Sequence, residues 1–153
     1  MNIEKSKGLI ELKIFSDFAD RRGLPIVPGS AEKREPPEPD ILCTLQTGEA
    51  LAFELAEACA PQFAAAISSA LKGHAPSAVW GDDVSEATIQ KKLSKTYPVN
   101  CQVELLLYAN GQTIMPDDYI LGKIEPIVRH GCGQYRRIWF LGEGIHVVAQ
   151  RGG

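Results

Sequence analysis

Residues 35–57 read EPPEPDILCTLQTGEALAFELAE, and the pairing of this stretch decides the fold. Prolines stiffen the approach to Asp40. Beyond it, Ile41, Cys43 and Leu45 alternate with Leu42, Thr44 and Gln46; after a glycine, Leu51, Phe53 and Leu55 alternate with Ala50, Ala52, Glu54 and Ala56. Strict alternation marks a half-buried strand, because successive side chains point to opposite faces. Matching the apolar faces sets the register. It predicts Ile41, Cys43 and Leu45 across from Leu55, Phe53 and Leu51, joined by the three-residue loop Thr47-Gly48-Glu49. Asp40 then faces Ala56, and Glu54 is its diagonal neighbour on the same face, roughly 7–8 Å away at the backbone. Two carboxylates so placed can lean together on a divalent cation such as Mg²⁺, which binds oxygen at about 2.0–2.1 Å.

Upstream, Ser6 to Arg22 reads as an amphipathic helix. Leu9, Leu12 and Ala19 lie on one side, with Ile10, Ile14, Phe15 and Phe18 beside them. Arg21 and Arg22 in the last turn and Gly23 after it suit a C-terminus. Glu11 is the odd residue among these apolar positions, and a place on the polar edge would account for it. Leu24 to Val27 is an expected short edge strand, followed by a loop rich in Pro, Gly and charge.

Downstream, Pro61 opens an expected helix through Lys72. Asp83-Val84-Ser85-Glu86 reads as a capping box for a second helix, running to about Tyr97 and stopped by Pro98. Ile89, Leu93 and Tyr97 form its buried stripe; Lys92 borders that stripe and Lys95 follows one turn later. These lysines fit a solvated face, or a source of positive charge. Val99 to Tyr108 is the best buried strand, with Asn110-Gly111 as a turn signal. A helix from Asp117 to about His130 and a hairpin of Tyr135–Leu141 with Ile145–Ala149 close the chain. The acids of Asp82-Asp83 and Asp117-Asp118 fit helix starts, where they favour the dipole. One of Arg136 and Arg137 must face out of its strand.

A Pro-Asp at the start of one strand and a Glu inside the next resembles the PD-(D/E)XK nuclease superfamily. Further residues carry the likeness: Glu11 on the leading helix, the run Lys33-Arg34-Glu35-Pro36-Pro37-Glu38-Pro39-Asp40, Ile89-Gln90-Lys91-Lys92, and the Leu-rich run Val103-Glu104-Leu105-Leu106-Leu107. The resemblance implies one α/β domain over residues 1–153, with a central mixed sheet flanked by helices in a restriction-endonuclease-like fold. It implies a metal-dependent nuclease in which Asp40 and Glu54 hold Mg²⁺ or Mn²⁺, with Glu11 as a third acid. The family pattern asks for a lysine two residues after the Glu, and here that position is Ala56. Lys92, or Lys95 one turn on, is the expected substitute in the catalytic set of Asp40, Glu54 and Lys92. The alternative is a catalytically inactive member of the fold that binds nucleic acid or protein; an unrelated interaction protein with merely exposed acids is a third reading.

Composition bounds these expectations. The chain has 153 residues, 44% hydrophobic and 23% charged, as an ordinary globular protein does. Its net charge of −3 gives no overall attraction to nucleic acid, so phosphate contacts must come from local basic groups. No apolar run is long enough to span a bilayer, and no signal-peptide pattern opens the chain, so no membrane partner and a cytoplasmic location are expected. Nucleic acid is the expected partner; a homodimer is left open. Cys43, Cys59, Cys101 and Cys132 are widely spaced, and reduced, buried thiols are expected. They and the histidines lack the usual zinc spacing. His130-Gly131-Cys132, with His146, invites a nucleophile reading that proximity in sequence alone does not supply.

Overall fold

The structure is a computed structural model that describes residues 3–58, 84–109 and 116–151. Among these, the helices are α1 (Ile3–Arg22), α2 (Glu86–Leu93) and α3 (Asp117–Val128). The strands are β1 (Glu32–Lys33), β2 (Ile41–Thr44), β3 (Ala50–Glu57), β4 (Gln102–Tyr108), β5 (Arg137–Leu141) and β6 (Ile145–Gln150). The six strands form one mixed sheet in sequential order; β3, β4 and β5 run parallel, and the other neighbours are antiparallel. The chain is therefore α/β, with helices on both faces of the sheet. No helix among the described residues is long and apolar enough to cross a membrane.

The apolar face of Ile41, Cys43, Leu51, Phe53 and Leu55 packs under α1. Phe15 and Phe18 lie 4.9 and 5.8 Å from the Phe53 ring, and Phe18 meets Trp139 edge-on at 5.2 Å. The opposite face carries Ala52, Ala56, Leu105 and Leu107 against Ile89 of α2 and the Ile120-Ile124-Val128 stripe of α3. That i, i+4, i+8 spacing is what a helix needs to lay one side on a sheet. Central β3 and β4 are covered on both faces and read as near-continuous apolar runs, as parallel strands do.

The β2–β3 hairpin forms with the expected faces but not the expected register. Ile41 pairs with Phe53, Leu42 with Ala52 and Cys43 with Leu51, two residues away from the alignment predicted by matching Ile41 to Leu55. The reason lies in the turn. Leu45 N–H donates to Glu49 O, and Gly48 N–H donates to Leu45 O, both at 2.8 Å, so the loop is Gln46-Thr47-Gly48. Gly48 has φ +93° and occupies the last loop position, where a type I turn needs a left-handed residue to rejoin the strand. Extended past Ile41, the register sets Asp40 directly opposite Glu54 rather than opposite Ala56.

Other boundaries shift for local reasons. In α1 the buried positions among the described residues include Gly8, Glu11, Phe15 and Phe18, whereas Leu9 and Ile10 are 61% and 50% exposed, so the expected apolar side is rotated. In α2, Ser85 is the N-cap, its Oγ accepting the Thr88 N–H, and the helix ends at Leu93, short of Tyr97. Pro98 biases Tyr97 away from helical geometry, and Gln134 takes over its backbone, Oε1 accepting the Tyr97 N–H and Nε2 donating to Tyr97 O. The stretch Leu24–Val27 makes only a single bridge, Ile26 to Leu45, because prolines on both sides of it remove donors; the edge strand is β1 instead. The expected Pro61–Lys72 helix, Cys59, Asp82, Asp83 and the Asn110-Gly111 turn lie outside the described residues.

Candidate active site

Asp40 stands one residue before β2, where Pro39 ends the pairing, and Glu54 is in the middle of β3. On its β2 side Leu55 has no strand residue across from it, and its N–H donates to Asp40 Oδ2 at 2.9 Å. In return, Asp40 N–H donates to Glu54 Oε1 at 3.0 Å. Each acid thus has one oxygen fixed by a backbone donor, a charge-assisted bond stronger than a neutral one. Glu54 is 3% exposed, on the same face as Ala52 and Ala56. It is a buried carboxylate and needs a cation.

Helix α2 supplies that cation. Lys92 Nζ lies 2.6 Å from Glu54 Oε2, and Lys95 Nζ lies 3.6 Å from the same oxygen. The small side chain of Ala56 leaves this face open to them. The end of α2 is in turn held from below. Tyr135 Oη donates to Lys92 O at 3.1 Å, so the Tyr97 hydroxyl must be the donor in the 2.6 Å bond between the two phenols. Burial above all, with the charge of Glu54 adding to it, pushes both phenols well above the usual tyrosine range. Gly133, at φ +58°, sits against the Leu93 carbonyl, where a Cβ would collide with backbone.

The third acid, Glu11, is on the α1 side of the sheet and is also 3% exposed, not at a polar edge. Lys33 Nζ joins it to the pair, 3.2 Å from Glu11 Oε1 and 3.1 Å from Asp40 Oδ1. Burial raises the Glu11 carboxyl above its usual range and the Asp40 charge adds to this, while Lys33 offsets part. Burial works against the Lys33 charge, but Asp40 and Glu11 outweigh it and hold the ammonium above the usual lysine value. The cluster is therefore three acids interleaved with three lysines: Glu11, Asp40 and Glu54 with Lys33, Lys92 and Lys95. Among the described residues, no three Asp, Glu, His or Cys side chains are gathered as metal ligands, and no buried side-chain nitrogen or oxygen lacks a hydrogen-bond partner. A cleft of about 600 Å³ lies along the Leu42 and Ala50 side of the hairpin, lined also by Glu38, Val99 and Cys101.

Of the residues singled out from sequence, Asp40, Glu54, Lys92, Lys95 and Glu11 are all drawn into this one cluster. Lys33 has no special signal in sequence beyond its place in a charged run seven residues before Asp40. Glu104 was also hidden, inside an apolar strand. It is 1% exposed, with Trp139 Nε1 donating to Oε1 at 2.6 Å and Arg136 Nε to Oε2 at 2.8 Å. Arg136 is thus the partner of a buried acid, while Arg137 and Arg22 lie over the Trp139 ring.

Two other readings are settled by their partners. Asp117 does not cap α3, where Pro116 is the N-cap. It holds the β5–β6 turn, accepting the N–H groups of Glu143 and Gly144 at 3.0 and 2.9 Å and pairing with His146 at 2.8 Å. Cys132 is buried and burial raises its thiol, the opposite of an activated nucleophile. Cys43, Cys101 and Cys132 are free; burial pushes the Cys43 thiol up to about 11.

No protein family, curated protein or solved structure matches the chain.

Proposed function

We propose that this chain is a divalent-metal-dependent phosphodiesterase of the PD-(D/E)XK type, with a restriction-endonuclease-like fold, acting on nucleic acid. The observation that carries the reading is the Lys92 ammonium 2.6 Å from Glu54, beside the position where Ala56 replaces the pattern's lysine. The α/β sheet with helices on both faces supports it, as does the direct opposition of Asp40 and Glu54.

The donor set suits Mg²⁺ or Mn²⁺, since Asp40, Glu54 and Glu11 offer only carboxylate oxygens, the ligands hard cations prefer. A cation, Lys33, already stands between two of them. Asp40 and Glu54 would hold the metal, with Glu11 as an outer acid. Bound there, it supplies a water of lowered pKa and offsets charge on the scissile phosphate. Lys92 would orient the attacking water and steady charge on a phosphate oxygen, and Lys95 would lie behind it. The backbone N–H groups of Asp40 and Leu55 keep the two carboxylates from swinging away, and Tyr135 keeps the end of α2 in place.

A second reading is a member of the same fold that binds without cutting. One observation favours it: both oxygens of Asp40 and of Glu54 are already engaged by lysines or backbone donors. A nicking assay separates the two. The purified protein is expected to cut plasmid DNA with Mg²⁺ or Mn²⁺ and not with EDTA, and Mn²⁺ is expected to raise the melting temperature by mass action. Asp40→Asn should abolish both effects. No cleavage of any DNA or RNA form, in any divalent metal, by well-folded protein would move the assignment to the binding module.

A further inference from the structure

Lys33 has a place that chain connectivity does not require. It belongs to β1, a two-residue strand at the sheet edge, paired through Glu32 with Leu42 and Lys33 with Ile41, with Arg34 N–H donating to Asp40 O at 2.8 Å just beyond. From there its stem runs along the bare backbone of Gly8 in α1; a Cβ on Gly8 would touch its Cε, Cγ and Cδ at 3.4–3.7 Å. Its ammonium ends between Glu11 Oε1 and Asp40 Oδ1, at 3.2 and 3.1 Å, with the side chain still 25% exposed. One positive charge therefore sits where two carboxylates from different elements converge. Lys7 also acts on Glu11 by its charge, but only Lys33 lies within 4 Å of both Glu11 and Asp40 among the described residues.

We propose that Lys33 is a resident cation that a divalent metal must displace, so that the site is self-inhibited until metal replaces the ammonium. The inference rests on the reading above, in which Asp40 holds the metal and Glu11 is its outer acid. Without a cation the two carboxylates would repel one another inside the protein; Lys33 removes that repulsion. A lysine suits this part. Its compact charge is carried on a flexible stem with single-bond freedom, whereas an arginine fork would grip two carboxylates more firmly. Being on an edge strand and partly exposed, it can swing into solvent without breaking the sheet. A metal then meets two negative charges that no longer have a competing partner.

The cost appears in metal affinity. If the ammonium occupies the site in about nine of ten molecules, the apparent dissociation constant rises about tenfold over the intrinsic value. Titration calorimetry with Mn²⁺ tests this on the full chain. Lys33→Met is expected to bind Mn²⁺ about tenfold more tightly than wild type, and to melt lower without metal and regain stability with it. Lys33→Arg, which keeps the charge and so guards against a folding defect in the first variant, is expected to bind more weakly than wild type. Equal or weaker binding by folded Lys33→Met, or undiminished binding by Lys33→Arg, would overturn the displacement while leaving a metal site at Asp40 and Glu54. Absence of Mn²⁺ binding in all three proteins would overturn both this inference and the metal-dependent reading.

Discussion

Asp40 and Glu54 hold each other through the main chain: the Asp40 N–H donates to Glu54 Oε1, and the Asp40 carboxylate accepts the N–H of Leu55, the residue after Glu54. This clasp fixes the acids through the main chain, whereas the lysines are held through their side chains alone. Substitutions there should separate chemistry from folding only in part.

Lys92→Ala is the first case. It removes the 2.6 Å partner of a buried carboxylate and leaves Lys95, at 3.6 Å, as the remaining cation. A stability loss of about 1–3 kcal/mol is expected, less than for a buried acid left wholly unpaired. In a Glu54→Gln background the same change should cost much less, and a double-mutant cycle in urea measures the difference. Any metal-dependent nicking should fall by about 10²–10³ when assayed well below the melting temperature.

Gly48 supports the register that brings the acids together. At φ +93° it has no atom within 4 Å of a would-be Cβ, so a substitution there strains the backbone without a clash. Gly48→Ala should cost about 1 kcal/mol or somewhat more, and Gly48→Asn less, since asparagine tolerates left-handed geometry. Equal losses in equilibrium unfolding would contradict the turn assignment.

At the buried acid of β4, the two partners are unequal. Glu104 is 1% exposed, while the Arg136 side chain is 35% exposed. Glu104→Ala strands the Trp139 indole N–H and part of the arginine cluster, and should cost roughly 3–5 kcal/mol. Arg136→Ala should cost less, because Trp139 and the nearby Arg137 still face the carboxylate. Matching losses in chemical denaturation would mean that the pair acts as one unit.

Asp117 gives a pH dependence. Burial would raise its carboxyl, but the N–H groups of Gly144 and Glu143, with His146, outweigh it and hold the group below its ordinary 3.8. A depressed acid contributes stability above its unfolded pKa and loses it as pH falls through the folded value. Asp117→Asn should therefore be less stable than wild type by about 1–2 kcal/mol at pH 7. The gap should narrow as pH drops towards and below 3.8. Unfolding midpoints at pH 5, 4, 3 and 2 measure it; a gap that fails to narrow between pH 4 and pH 2 would exclude this role.

How much could be read beforehand differs from residue to residue. Alternation placed Asp40 and Glu54 on one face, because facing depends only on odd and even positions. Opposition depends on where the turn closes, and a glycine in a three-residue loop can close it at more than one position. Lys92 was legible because it borders the Ile89 stripe. The burial of Glu11 was not, since Leu9 and Ile10 spread apolar residues around α1 and concealed which side is buried. Glu104 and Asp117 kept their partners hidden for a shared reason: each has a local setting that accounts for it, a strand interior and the helix start where Asp117 does lie, while its partners come from a distant part of the chain. Arg136 lies 32 residues from Glu104, and His146 lies 29 from Asp117.

With alanine at position 56, Glu54 and its 2.6 Å partner Lys92 come from separable pieces of the chain. The hairpin of residues 41–57 can keep its pairing intact while α2 changes length, tilt or composition. Variation at Lys92 and Lys95 alone then changes the positive charge beside Glu54 with no change in the strands, while Ile89 keeps α2 on the core. A lysine on the strand itself would have bound both properties to one short segment, and each mutation there would have tested folding and chemistry at once.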